Sequence, residues 1–187
     1  MAAINSVGRA APARVELRLP KPHDEALFVD LRRSSRAHLE PWEPEPPDGH
    51  DPWGAAEFAR YLDANRSPRR KRWLVWRNED GALLGACALT AIARGVLQSA
   101  TLDYWIGQRF ARQGYMSEAL ELVLREAFVP LELHRVEALV LPENEPSRRL
   151  LARAGFRCEG LARKLVRLHG EWRDHERWAV TSDERAG

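Results

Sequence analysis

A chain of 187 residues, 44% hydrophobic and 30% charged, has the composition of one soluble globular domain and not of a disordered or fibrous protein. Its 29 basic and 27 acidic residues nearly cancel, which argues against a general nucleic-acid binder. No apolar run approaches the roughly 18 residues of a membrane span, so no membrane partner is expected.

Residues 1–13 lack the charged start and long apolar stretch of a secretory signal and read as a loose tail. Residues 14–181 read as one domain and 182–187 as a C-terminal tail. Residues 15–19 alternate as a short strand, which Pro20 and Pro22 end. Asp24 then precedes Leu27, Phe28 and Leu31, expected to share one helical face. Residues 41–52 are a proline-rich loop that carries Trp42. Asp51 and Pro52 make a helix start, a capping carboxylate before a first-turn proline. Phe58, Tyr61 and Leu62 supply that helix's apolar face.

Residues 67–72 are a basic knot, and residues 73–76 a strand behind it. A turn at residues 78–81 leads to strands at 83–90 and Ser99–Ile106. After a second turn, Met116, Ala119, Leu120, Val123, Leu124 and Ala127 recur at helical spacing. Residues 135–141 are a strand, and residues 144–154 a short helix that Gly155 ends. Arg157–Leu168 and Glu171–Thr181 form a hairpin about His169-Gly170. Cys87 and Cys158 form no C-x-x-C pattern and the six His show no zinc spacing, so a reduced, cytoplasmic protein without a metal is expected.

The order β-α-α-β-β-β-α-β-α-β-β fits one mixed sheet with helices on its faces, an α/β fold. The strand–helix–strand unit across residues 102–141 should hold its strands parallel. A ligand is expected beyond the C-terminal end of the first of them. There Arg109, Arg112, Gln113, Gly114 and Tyr115 precede the long helix. Free amide N–H groups and the helix dipole make such a place an anion site. Gly114 permits a positive φ, and the arginines can bind phosphate. The same spacing also describes an ordinary turn before a helix.

The run from Tyr104-Trp105-Ile106-Gly107 to Ala111-Arg112-Gln113-Gly114-Tyr115-Met116-Ser117-Glu118-Ala119-Leu120 resembles motif A of the GCN5-related N-acetyltransferases. Leu133-His134-Arg135-Val136-Glu137, Pro142-Glu143-Asn144-Glu145-Pro146-Ser147-Arg148 and Gly155-Phe156 resemble motif B. Leu39-Glu40-Pro41-Trp42-Glu43-Pro44, Ala93-Arg94-Gly95 and Gly170-Glu171-Trp172-Arg173-Asp174-His175 resemble the RimJ/RimL group of ribosomal-protein N-terminal acetyltransferases.

This resemblance implies a largely antiparallel sheet whose parallel central strands splay into a slot. Acetyl-CoA would enter from one side and an amine from the other. The amides of Arg112, Gln113, Gly114, Tyr115, Met116 and Ser117 would hold the pyrophosphate, the strand edge at Tyr104, Trp105 and Ile106 the pantetheine arm, and Asn144 would touch that arm. Ala111, Arg112 and Met116 depart from the family pattern, so the shape of the phosphate loop is an open expectation.

The departing thiolate needs a proton, and the resemblance makes Ser147 its candidate donor; Ser147 also reads as a first-turn helix cap. Glu43, Glu137 and Asp174 are the candidate bases, and Trp42, Glu43 and Glu137 the candidate acceptor-binding residues. The basic knot reads either as a ribosomal RNA contact or as a solvated loop. The expected partner is a protein N-terminus, from a ribosomal protein starting with Ala or Ser, and the enzyme is expected to be a monomer or homodimer. The rivals are acetylation of a small-molecule amine, which an acidic acceptor pocket would favour, and a non-catalytic acyl-CoA-binding assembly factor.

Overall fold

The computed structural model describes residues 13–46 and 49–185; almost all of the expected N-terminal tail, and Pro47 and Asp48 of the proline-rich loop, lie outside them. The strands are β1 (Val15–Arg18), β2 (Lys71–Arg77), β3 (Leu83–Ala93), β4 (Ser99–Ile106), β5 (Arg135–Val140), β6 (Arg157–Leu168) and β7 (Glu171–Thr181). They form one sheet in the order β1-β2-β3-β4-β5-β7-β6. Every neighbouring pair is antiparallel except β4 and β5. The helices are α1 (Glu25–Ser34), α2 (Arg36–Leu39), α3 (Ala55–Ala64), α4 (Tyr115–Phe128) and α5 (Glu145–Arg153).

Strand alternation sends Ala86, Ala88, Asp103 and Trp105 to one face and Cys87 and Tyr104 to the other. On the first face Phe28 of α1 sits 5.1 Å from Phe58, 4.8 Å from Tyr61 and 5.6 Å from Trp105 between ring centroids. On the second, α4 buries the helical stripe read from the sequence, and Met116 Sδ lies 3.6 Å from Cys87 Sγ. Burial pushes the Cys87 thiol up, which keeps it inert. Cys158 is exposed.

Three local expectations differ from the fold. Leu27 is 53% exposed, because α1 turns Phe28, Leu31 and Arg32 inward, a stripe that leaves Leu27 outside it. Asp51 does not cap a helix: its carboxylate accepts the Trp53 amide at 2.9 Å, and α3 begins after Gly54. The buried Trp53 ring, stacked 4.5 Å below the Arg32 guanidinium, holds the chain in that turn. Residues 182–185 are tied down, since Arg185 donates to the Ala154 carbonyl at 2.7 Å and Glu184 accepts the Thr181 amide at 3.0 Å. The His169-Gly170 turn is as read, both residues having positive φ (49° and 82°), the backbone of a tight two-residue hairpin.

Candidate active site

The parallel register of β4 and β5 ends early: Ser99, Ala100 and Thr101 pair with Arg135, Val136 and Glu137. Among the described residues, the β5-side edge of β4 has no strand partner beyond Thr101, so residues 102–106 offer free backbone groups there. The gap opens into a slot of about 1510 Å³ that reaches helices on both faces of the sheet. That exceeds the roughly 300–1,000 Å³ of an ordinary small-molecule pocket and admits a long ligand and a second reactant together.

At one mouth stands the N-terminus of α4. Gly114 has φ +86°, and among the described residues no amide from 112 to 117 donates to a protein acceptor. This row of N–H groups at a 14-residue helix is able to cradle an anion. Arg112, one of the three departures from the family pattern, takes the left-handed conformation itself, at φ 62°. The turn therefore forms, at a strain of about 1–2 kcal/mol for a residue with a Cβ. Tyr115 and Met116 bury their side chains and present only backbone, while Gln113 turns its amide back to the Arg109 carbonyl at 2.9 Å.

Deeper in, the Tyr104 hydroxyl meets Ser147 Oγ at 2.5 Å. Burial pushes the Tyr104 phenol up, against the pull of the Ser147 bond, so it stays protonated. A phenol that donates to Ser147 Oγ leaves the serine hydrogen free to point into the slot. Ser147 is not the cap of α5. Asn144 is: its Oδ1 accepts the Ser147 amide at 3.2 Å. Asn144 also lines the slot.

The opposite face carries Trp42, 38% exposed, and Glu43. Arg32 donates to Glu43 through two bonds of 2.7 and 2.6 Å, and its own side chain is 5% exposed. Glu57 is likewise engaged, 2.8 Å from His50 Nε2 and 3.6 Å from Arg72 Nη1. Arg72 has turned inward from the basic knot to lie 4.3 Å over the Tyr61 ring. Its Nε and Nη1 are buried with no hydrogen-bond acceptor among the described residues.

Of the three candidate bases, Glu43 alone lines the slot. Glu137 is paired with Arg135 at 2.7 Å and Arg177 at 3.4 Å on β5, and Asp174 accepts the Lys164 amide at 2.8 Å in the β6–β7 hairpin. The slot adds residues that sequence patterns passed over: Arg72, Asp103 and His175. Asp103 is open to solvent inside the slot yet walled by protein on either side, and that desolvation raises its carboxyl pKa, opposed by a Thr90 bond and by Arg72. Only its place on a strand already suspected of lining a ligand could have singled it out.

A slot through a sheet, with an anion cradle at one mouth and a protonated hydroxyl pair within, defines an enzyme that passes a group between two bound reactants. Residues 14–157 match the acetyltransferase (GNAT) domain family. The chain belongs to this family. It is 41% identical to the probable N-acetyltransferase YjcK of Bacillus subtilis over 110 residues, 59% of this chain and 61% of that one. It is 28% identical to the [ribosomal protein uS5]-alanine N-acetyltransferase of Escherichia coli over 179 residues, 94% of this chain and 92% of that one. The structure of Mycobacterium smegmatis RimJ in complex with CoA-disulfide superposes with a TM-score of 0.84 at 33% identity, covering 91% of this chain and 83% of that one.

Proposed function

We propose that the protein transfers acetyl from acetyl-CoA to the N-terminal α-amine of a protein, with a ribosomal protein starting with Ala or Ser as the leading acceptor. The relatives named for that activity support the reading. Acetyl-CoA supplies the activated thioester. The amides of residues 112–117 hold its pyrophosphate, and the free edge of β4 orients its arm. An edge N–H near Tyr104 polarises the thioester carbonyl, stabilisation by a donor already in place. Ser147, backed by the protonated Tyr104, gives the leaving sulfur its proton.

The observation that carries the choice of acceptor is the pairing of the slot's carboxylates. Glu43 is bonded to Arg32, and Glu57 lies beside His50 and Arg72. A peptide N-terminus brings a single ammonium, which one carboxylate can meet. A polyamine brings several and meets no free acidic cluster. An α-amine, of pKa about 7.7–8.0, is also easier to deprotonate than a Lys side chain near 10.4, a difference of about 3.5 kcal/mol.

Initial rates of CoA release test this, with three acceptors: a peptide starting with free Ala, the same peptide N-blocked but carrying an internal Lys, and spermidine. The free α-amine should exceed both others by at least ~100-fold in kcat/KM. A preference for spermidine would overturn the reading.

A further inference from the structure

Asp103 has a different setting from every other carboxylate that lines the slot. Among the described residues Glu43, Glu45, Glu57 and Asp63 each have a cationic or histidine partner within 4.0 Å, whereas Asp103 has none. Its printed partner is a hydroxyl: Thr90 Oγ1 lies 2.9 Å from Asp103 Oδ2. The same hydroxyl lies 3.4 Å from the Thr101 carbonyl. Thr90 therefore has two uses for one hydrogen. It donates to Asp103 when that group is a carboxylate. When the group is a carboxylic acid, Thr90 turns its hydrogen to Thr101 and accepts from Asp103. A neighbour that satisfies both protonation states suits a carboxyl that cycles between them.

The strand register supplies the direction. Asp103 and Tyr104 are consecutive on β4 and project to opposite faces of the sheet, Asp103 opposite Ala88 and Tyr104 opposite Cys87. Asp103 thus faces the side of α1 and α3, with Trp42 and Arg72, and Tyr104 faces Ser147 on α5. In the row Arg72–Ala88–Asp103 the small Ala88 leaves a shallow floor between cation and carboxylate. Asp103 stands about two strand spacings from Arg72, roughly 10 Å between backbones, which leaves room for an ammonium on the carboxylate.

We propose that Asp103 receives the acceptor ammonium and takes the proton it must shed, resting on the reading of the slot as an N-acetyltransferase site. The nitrogen lone pair forms the N–C bond to the acetyl carbonyl carbon, and the C–S bond breaks. One proton passes from nitrogen to the Asp103 carboxylate on one face. One passes from Ser147, refilled by Tyr104, to the sulfur on the other. Exchange with solvent through the open slot restores both groups, so the products are an amide and a thiol. The raised pKa of Asp103, set by desolvation, brings the carboxylate nearer to its amine partner in proton affinity.

The test is Asp103→Asn, which keeps shape and the Thr90 bond, assayed with two acceptors. One is a peptide starting with Ala. The other replaces that residue by an aminooxyacetyl group, whose amine is already neutral at pH 7 and needs no base before attack. The variant should lose at least ~100-fold in kcat/KM on the amine and less than ~3-fold on the aminooxy peptide. Its acetyl-CoA affinity should be unchanged. Asp103→Ala should regain part of its amine activity with added formate. Equal losses on both acceptors would make Asp103 a packing or binding residue. No loss on either would place the base elsewhere. Both results overturn the proposal. If the wild type itself turns over other amines but no peptide, the peptide reading fails alone. Asp103 is then tested on that amine, with hydroxylamine as the neutral acceptor.

Discussion

Replacing Glu43 by Gln separates a structural carboxylate from a catalytic one. The Arg32 side chain is 5% exposed, bonded twice to Glu43 at 2.7 and 2.6 Å and packed 4.5 Å over Trp53 and 5.0 Å over Trp105. Removing one partner of a fully buried pair costs about 3–5 kcal/mol, because the other charge is left uncompensated. Glu43 is 28% exposed and Gln keeps one accepting oxygen, so water and the amide recover part of that loss. The expected cost is about 2 kcal/mol, or a fall of roughly 4–8 °C in melting temperature for a chain this long. Thermal unfolding followed by circular dichroism reads the first quantity and steady-state turnover the second. The variant should melt lower while kcat changes by less than about fivefold, since both carboxylate oxygens of Glu43 are already occupied by Arg32. An unchanged melt together with a ~100-fold loss in kcat would refute this and make Glu43 the base.

Ser147→Ala should lower kcat about 100-fold with acetyl-CoA affinity within twofold; a collapse of affinity would show that the hydroxyl serves binding. Arg112→Gly should raise the melting temperature by about 2–4 °C, by relieving about 1 kcal/mol at φ 62°, and should weaken acetyl-CoA several-fold through loss of the guanidinium. A lower melt would mean the left-handed turn is unstrained. Burial pushes the Tyr61 phenol up to about 12, against an unfolded value near 10. Between those pH values the unfolded chain has lost this proton and the folded one holds it, so folding stability falls as pH rises, by about 1.4 kcal/mol per unit. Tyr61→Phe should remove that part of the slope in pH-dependent unfolding, and an unchanged slope would contradict the assignment.

The elements legible in the sequence were those with a strong local signature. Ser99–Ile106 and the β6–β7 pair carry a pattern bounded by turn residues, and α4 carries an apolar stripe, so local rules sufficed. Leu27 and Asp51 were misread because tertiary packing decided there: Arg32 and Trp53 bury against each other and rotate their neighbours out of the expected roles. The left-handed Gly114 and the open amides ahead of α4 were legible because a glycine before a helix has a fixed physical consequence. The opposite face of the slot was not. Arg72 is one of several basic residues in a row, and nothing local says that it alone stacks on Tyr61. Asp103 follows the polar alternation of any half-exposed strand; its face opens on a slot only because β5 leaves β4 after Glu137.

The most direct test of the central claim is tandem mass spectrometry of a peptide that starts with Ala and carries one internal Lys, after reaction with acetyl-CoA and the enzyme. A single acetyl group on the α-amine, with the Lys unmodified, is the predicted result. Acetylation of the Lys with the α-amine left free would contradict it.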